Sequence, residues 1–294
     1  MAILQHNEDA QWPLVSVIIP VYNSKESLDT LLPALEKQSL ARNTFEVIVV
    51  DDDSSEDVVG HIQTNYPKIR AIRQKRGGSY VARNTGVAAS LGDILVFTDA
   101  DCIPDPGWLR NGLDALNNRG ADVVAGGVTV DIDDPHSVVQ RYDARFNLKQ
   151  SFYAILGFGV TANLFVKKDV YTRVGGFDST LYSGGDQRFC QLAILNGARF
   201  HYIEDALVFH PARKYYKELY RKTIRVAKGR AMAFHKNNYY FPRLLFLLPE
   251  AYQDKRFKTE PISFRLRFIA LHYVLEACRI FVYVRTRIMV GLEM

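Results

Sequence analysis

Short apolar runs alternate with amphipathic segments along the first hundred residues of the chain. Residues 15–21, 45–50, 69–72 and 94–97 form apolar runs that have the length of buried strands. The segments between them repeat apolar residues at helical spacing, most clearly from Leu28 to Leu35. This alternation predicts βαβ units, and therefore an α/β fold with a Rossmann-like, mostly parallel sheet flanked by helices.

The pattern is less regular between residues 100 and 212. Helical periodicity resumes after Pro106 and again after Gly184. The other apolar segments predict a strand or bent pair at 123–130, a helix at 136–150, a glycine-rich loop leading into a strand at 157–166, a short helix at 168–174, and two short strands at 200–203 and 206–209. We therefore assign residues 1–212 to one sheet-based domain.

From Arg213 onward the pattern predicts only helices. The first extends from residue 215 to about His235 and carries a basic band interleaved with apolar residues. The last extends from residue 262 to about residue 290, and its charged residues recur near every 3.6 positions. It is too charged to be a simple transmembrane span. Residues 213–294 thus form a C-terminal helical extension.

Charge is distributed unevenly between these two parts of the chain. Residues 1–210 hold 19 Lys and Arg against 26 Asp and Glu, a net charge of −7, whereas residues 211–294 hold 18 against 6, a net charge of +12. A basic segment of this kind suits nucleic acid, an anionic membrane surface or phosphorylated substrates, and composition does not choose among them.

Cysteine usage and the N-terminal sequence indicate the compartment. Cys102, Cys190 and Cys278 are odd in number and far apart, which indicates neither a disulfide framework nor a zinc site. Acidic residues near the N-terminus replace the basic stretch and apolar core of a secretory signal. We therefore expect a cytoplasmic protein.

Acidic residues follow two of the predicted strands. Asp51 and Asp52 end the 45–50 run, and Asp99 and Asp101 follow the 94–97 run. Ligands of open α/β sheets bind outside the carboxyl ends of the strands, and carboxylate oxygens there suit Mg²⁺ or Mn²⁺. The alternative is a solvated Asp-x-Asp turn, because Asp is common in turns.

Six short motifs follow one another along the chain. They are residues 15–23 (VSVIIPVYN), Asp51-Asp52, residues 82–86 (ARNTG), Asp99-Ala-Asp101, residues 175–178 (GGFD) and Gly185-Asp186. Together, in order and spacing, they resemble those of family 2 glycosyltransferases over roughly residues 14–235. The resemblance implies a GT-A fold, a nucleotide-sugar donor, a divalent cation and an inverting, single-displacement mechanism.

The resemblance also implies a role for each matching residue. Asp52 would accept a hydrogen bond from the imide N–H of a uracil-like base, which favours a UDP-sugar, and Pro20, Tyr22 and Asn23 would frame the nucleoside. Arg83 would approach the ribose or phosphates. Asp99 and Asp101 would lie at the ribose and the metal as the Asp-x-Asp pair, His210 would complete the metal coordination, and Asp186 would be the general base. Two residues depart from the family pattern. Gly185 stands where Glu is usual, and Asp53 where Gly is commonest.

Two other classes of function remain open from the sequence. A strand ending in Asp-x-Asp also begins haloacid dehalogenase-like phosphatases, although Ile103-Pro104 departs from their motif and the Asp51-Asp52 pair would have no role. A non-catalytic subunit could instead bind sugar nucleotides or dock on a membrane. For Asp186 the simpler interpretation is an N-cap of its own helix.

The C-terminal helices predict where the enzyme works. Their basic and apolar residues suit peripheral attachment to the cytosolic face of an anionic membrane, where a lipid-linked or growing-glycan acceptor would lie. The alternative is that the same face packs on the protein's own core or on a second subunit. We expect no nucleic-acid partner.

Overall fold

The structure is a computed structural model, and it describes residues 15–233 and 255–292. In chain order the elements are β1 (Val15–Val21), α1 (Lys25–Glu36), β2 (Phe45–Asp51), α2 (Val58–Asn65), β3 (Arg70–Arg73), α3 (Ser79–Ala88), β4 (Ile94–Thr98), β5 (Ile103–Pro104), α4 (Trp108–Asn117), β6 (Val123–Asp131), α5 (Val138–Phe146), α6 (Gln150–Ile155), β7 (Asn163–Lys167), α7 (Lys168–Val174), α8 (Gly185–Leu195), β8 (Phe200–Pro211), α9 (Tyr216–Ala233), α10 (Lys255–Lys258) and α11 (Ile262–Leu292).

The described strands form one mixed sheet in the order β3-β2-β1-β4-β7-β6-β8-β5. The first four strands along the chain are parallel neighbours, as their alternation with helices predicts. β7 is antiparallel to both β4 and β6, and β8 is parallel to β6 and antiparallel to β5. The parallel half therefore brings the carboxyl ends of β1, β2 and β4 to one edge.

Both faces of the sheet are buried. Val17 and Ile19 of β1 pack in one apolar cluster, and Ile18 between them packs in the cluster on the opposite face. This alternation follows from the two-residue period of a strand, and helices covering both faces explain why the strand is continuously apolar.

Three elements differ from the sequence prediction. The helix predicted at 136–150 is interrupted: α5 ends at Phe146, Leu148 has a φ of 52°, and α6 begins at Gln150. The two strands predicted at 200–203 and 206–209 are one strand, β8, whose register against β6 is irregular between Gly126 and Val128. The polar Glu204-Asp205 pair lies in that irregular segment. The short strand β5 has too few residues for a periodic signal.

The C-terminal helices pack on the rest of the protein through one end of α11. A third apolar cluster joins α5, α9 and α11; its buried members are Val138, Val139, Tyr142, Leu219, Phe257, Phe264, Phe268, Leu271 and Leu275. Farther along α11, Phe281 and Ile288 are 67% and 58% exposed. Within residues 15–233 and 255–292, no helix combines the length and hydropathy that crossing a membrane requires. His235, the predicted end of α9, lies outside the described residues.

Candidate active site

Asp52 organises the loop that follows β3. Its Oδ1 accepts hydrogen bonds from Gln74 Nε2 and from the backbone N–H of Gly77, both at 2.8 Å, and its Oδ2 accepts one from the Gly78 N–H at 2.8 Å. Arg76 Nε lies 3.5 Å from the same Oδ2. The side chain is buried, so these bonds fix the carboxylate and the 74–78 loop together.

Hydrogen bonds also hold together the loops that follow β1 and β2. Asn23 N–H donates to Ser54 Oγ at 2.9 Å, and Asn23 Oδ1 accepts from the Ser55 N–H at 2.8 Å. Asp51 is fully buried, and its Oδ1 accepts from the Ser54 N–H at 2.9 Å. Asp53 has a φ of 67°, the left-handed region that Gly adopts freely and Asp tolerates. The departure from Gly at this position therefore leaves the turn intact.

An aromatic surface lies beside this loop pair. Pro20 is partly buried at the end of β1, whereas Tyr22 is 46% exposed. The guanidinium carbon of Arg76 lies 3.0 Å from the centroid of the Tyr22 ring, so the cation covers one face of that ring. The residues named for the nucleoside thus lie at one edge of the sheet, around Asp52.

Arg83 connects this edge to the Asp-x-Asp turn. It projects from α3, is buried, and its Nη2 lies 2.5 Å from Asp99 Oδ1. Its Nε has no hydrogen-bond partner among the described residues. The ion pair neutralises one of the two carboxylates, and a free N–H remains for another acceptor.

The ligand atoms of Asp99, Asp101 and His210 all lie within 4.8 Å of one another. His210 Nδ1 lies 2.8 Å from the Pro211 carbonyl oxygen, so Nδ1 carries the donated proton and Nε2, 3.5 Å from Asp101 Oδ2, is left as an acceptor. Burial raises the pKa of Asp101, partly offset by His210. Two carboxylates and an imidazole are a donor set that fits Mn²⁺ or Mg²⁺.

A cavity of about 220 Å³ adjoins two of these three residues, Asp101 and His210, on the α1 side. Asp101 and His210 line it together with Ser27, Thr30 and Asp131. The ligand atoms therefore border open space rather than packed protein.

Asp186 is the second residue of α8. Its Oδ1 accepts from the Tyr80 hydroxyl at 3.2 Å and from the Gln187 N–H at 2.9 Å. Burial raises the pKa of this carboxyl group, and the Gln187 N–H and the Arg83 charge oppose the shift. The N-cap of α8 is Gly184, which has a φ of 83°, so Asp186 does not cap its own helix.

Tyr80 explains why Gly185 stands where the family has Glu. A Cβ on Gly185 would lie 2.7 Å from the Tyr80 ring, and the Gly185 N–H donates to the Tyr80 hydroxyl at 3.0 Å. Sequence reasoning missed Tyr80. Its position one turn before Arg83 on the same helix, two residues after Gly78, is the signal that could have identified it.

Comparisons with known proteins agree with this geometry. The model of the family described as glycosyl transferase family 2 matches residues 16–175. The chain is 36% identical over 222 residues to glycosyltransferase AglE of Haloferax volcanii, which covers 74% of this chain and 73% of AglE. It is 32% identical over 213 residues to a pre-mycofactocin glycosyltransferase of Mycobacterium tuberculosis, which covers 68% of this chain but only 43% of that longer enzyme.

Solved structures share the fold. The mannosyltransferase PcManGT of Pyrobaculum calidifontis, in complex with GDP-Man and Mn²⁺, has a TM-score of 0.59 at 19% identity, covering 94% of this chain and 74% of that one. Residues 1–349 of Staphylococcus aureus TarS, in complex with UDP-GlcNAc, have a TM-score of 0.56 at 19% identity, covering 95% and 92%. At these identities the likeness shows a common GT-A architecture.

Proposed function

This chain is a member of glycosyl transferase family 2 with a GT-A fold, and on that premise we propose that it is an inverting, metal-dependent enzyme that moves one sugar from a nucleotide-sugar donor to an acceptor hydroxyl. The observation that carries the proposal is the convergence of Asp99, Asp101 and His210 within 4.8 Å at the strand edge. Arg83 pairs with Asp99, and its positive charge also lowers the pKa of Asp186. The same residue therefore connects the proposed donor site with the proposed base.

A UDP-sugar is the donor that we favour. Pro20, Tyr22 and Asn23 would frame the nucleoside beside Asp52. Asp52 Oδ2 accepts one hydrogen bond from protein N–H, so a second lone pair remains for the imide N–H of uracil once Arg76 moves. Structural neighbours bind UDP-GlcNAc in one case and GDP-Man in another, so both nucleotides belong in a donor screen.

Two sets of side chains would carry out the chemistry: Asp99, Asp101 and His210 at the cation, and Asp186 at the acceptor hydroxyl. A divalent cation, held by Asp101 and His210 with Asp99 beside it, would supply charge neutralisation for the departing diphosphate. Asp186 takes the proton of the acceptor hydroxyl, whose oxygen forms a bond to the anomeric carbon from the face opposite the donor phosphate. The bond from that carbon to the phosphate oxygen breaks, and its electron pair stays with the nucleoside diphosphate. Attack from the opposite face inverts the anomeric configuration.

The raised pKa of Asp186 suits this role. A carboxylate whose charge is poorly solvated is a stronger base than one in water, and the Tyr80 hydroxyl holds it in one orientation. The family match sets aside the phosphatase alternative. A non-catalytic sugar-nucleotide-binding subunit would retain donor affinity without turnover, so activity separates it from the enzyme.

A nucleotide-sugar panel with Mn²⁺ or Mg²⁺ tests the proposal. Binding is measured first by thermal shift, because a bound donor stabilises by RT ln(1 + [L]/Kd). Release of nucleoside diphosphate is measured next, with and without excess EDTA, and the product's anomeric configuration is read by NMR. We expect turnover that EDTA abolishes and a product of inverted configuration. Full activity in EDTA, or a retained configuration, would refute the mechanism.

We also propose that the C-terminal helices hold the enzyme at the cytosolic face of an anionic membrane, with a lipid-linked or glycan acceptor. Two surfaces support this proposal. Lys217, Arg221, Arg225 and Lys228 of α9 are exposed. On α11, Phe281, Val284 and Ile288 are exposed apolar residues at helical spacing.

A further inference from the structure

Lys222 of α9 is a buried cation without a hydrogen-bond partner. Its Nζ is shielded from solvent and makes no hydrogen bond with any described residue. The exposed lysines and arginines of the same helix are solvated, so Lys222 differs from them in environment. Burying an ammonium group without a partner costs stability, and native proteins rarely contain one unless a ligand uses it.

Among the described residues, the two carboxylates that act on the Lys222 charge already have partners. Asp143 is fully buried and already accepts hydrogen bonds from Arg213, through both the backbone N–H and the guanidinium at 3.0 Å, and from Asn147 Nδ2 at 2.7 Å. Asp99 is paired with Arg83. Lys222 therefore lies in a region where each neighbouring acid already has a cation.

The electrostatic balance around Lys222 is unfavourable. Burial lowers the pKa of its ammonium group to about 7, and the positive charges of Arg213 and Arg225 add to this effect. Asp143 and Asp99 oppose it. An added anion at this position would reverse the balance, because it would supply the missing acceptor.

The packing of α9 directs this residue towards the active site. A Cβ on Gly229 would lie 2.4 Å from the Ser183 carbonyl oxygen, so the helix contacts the loop that leads into Asp186. One and a half to two turns earlier on the helix, Lys222 interacts electrostatically with Asp99 at the end of β4. Thus α9 extends from the loop before Asp186 to the neighbourhood of Asp99.

Building on the proposed function, we propose that Lys222 is a binding residue for the diphosphate of the nucleotide-sugar donor. When the nucleotide sugar binds, the ammonium group donates a hydrogen bond to a phosphate oxygen. It keeps this bond to the nucleoside diphosphate as the diphosphate leaves. The phosphate of a lipid-linked acceptor has the same chemistry. Lys222 lies seven residues before Gly229 and so on the face of α9 that packs against the loop before Asp186, and the charge of Asp99, the partner of Arg83, acts on it; this position favours the donor.

Nucleotide titrations test this assignment. UDP, UMP and uridine, and the matching guanosine series, are titrated in the presence of Mn²⁺ into the full-length wild type, Lys222→Met, Lys222→Arg and the exposed control Arg221→Met. We expect Lys222→Met to weaken binding of the preferred diphosphate by about 10- to 100-fold, since a hydrogen bond to a charged group is lost. Uridine or guanosine binding stays unchanged, Lys222→Arg recovers diphosphate binding, and Arg221→Met matches the wild type.

Thermal unfolding without ligand provides a second readout. Lys222→Met removes an uncompensated buried charge, so its unfolding midpoint is expected to lie at or above that of the wild type. Between about pH 7 and pH 10 the unfolded chain binds more protons at Lys222 than the folded one. The wild type therefore gains stability from this residue as pH rises, and the difference in midpoint closes towards pH 10.

Each contrary result has a defined meaning. If the wild type binds UDP or GDP and Lys222→Met binds it within about threefold, the inference is overturned and the proposed function stands. If Lys222→Met spares diphosphate binding but raises KM for a phosphate-bearing acceptor, the donor assignment is overturned. A lower unfolding midpoint together with weak binding that Lys222→Arg does not rescue marks a structural role. A wild type that binds neither diphosphate overturns both proposals.

Discussion

The sheet edge and the C-terminal helices hold their buried charges in opposite ways. At the sheet edge, the Asp52 carboxylate accepts three protein hydrogen bonds, and Asp99 is paired with Arg83. On α9, the Lys222 ammonium is buried and donates no hydrogen bond to any described residue. The sheet edge is therefore preorganised before any ligand arrives, whereas the helix contributes a charge that no described residue satisfies.

This difference separates stability from binding. Charges that already have partners fix the loops around them, so their removal should damage the protein with or without donor. A charge without a partner lowers the stability of the free protein, so its removal should damage only ligand binding. Three variants test what the sheet edge and the C-terminal helices each contribute to function.

The largest effect is expected for Asp186→Asn, at the junction of the two regions. The amide keeps the shape of the carboxylate but cannot accept the acceptor's proton, so kcat should fall by about 10²–10⁴-fold while donor affinity stays the same. Steady-state kinetics and donor titration measure the two quantities. Asp169→Asn, an exposed acid on α7, is the matched control. A variant that keeps more than about a tenth of the wild-type kcat would remove Asp186 from the role of base.

A smaller effect is expected for Gly229→Ala, which separates α9 from the sheet region. The new Cβ would meet the Ser183 carbonyl oxygen at 2.4 Å, so the helix or the loop before Asp186 must shift. A displacement of about 1 Å can lower the rate by about 10²-fold, so we expect kcat to fall by about 10- to 100-fold with the helical circular dichroism retained. Lys228→Ala, at the exposed position immediately before Gly229, is the control. Unchanged kcat would show that α9 does not support the active site.

The smallest effect is expected at the far end of α11, the part of the C-terminal helices that lies away from the buried cluster. Phe281→Ser removes an exposed apolar side chain, so co-sedimentation with anionic vesicles should weaken by a few fold. Added salt should weaken it as well, because each engaged Lys or Arg contributes about 1 kcal/mol. Leu195→Ser, at an even more exposed apolar site on α8, should leave binding unchanged. Absence of vesicle binding at low salt, with dimerisation that Phe281→Ser abolishes, would instead assign this face to a second copy of the chain.

The sequence predicts the parallel half of the sheet because hydrophobic periodicity reports burial on each strand separately. β1, β2 and β4 all satisfy that condition, and the acids at the ends of β2 and β4 can then be located from the strand ends. Periodicity does not report irregular pairing, so β8 looked like two strands where Glu204 and Asp205 interrupt the apolar pattern. It also does not report packing between distant segments, which is what places Gly185 against Tyr80.

The C-terminal helices show the same limit. Their basic residues predict an attraction to anions, but α9 divides those residues between solvent and the protein interior. Lys217 is exposed, whereas Lys222 Nζ is buried, and only the packing of α9 on the sheet region separates the two. Charge counted along a sequence therefore indicates the sign of the partner but not which residue meets it.

The pairing of β5 with β8 also orders the assembly of the chain. Ile103 pairs with Phe209, 106 residues later, whereas Val15 pairs with Phe45 and Ile94, which are 30 and 79 residues later. Closing a long loop costs more chain entropy and slows the formation of the contact. The edge that carries Asp99 and Asp101 can therefore form while the chain is still being synthesised, before the ribosome has released His210. The approach of His210 to Asp99 and Asp101 would then be a late step in the formation of this edge.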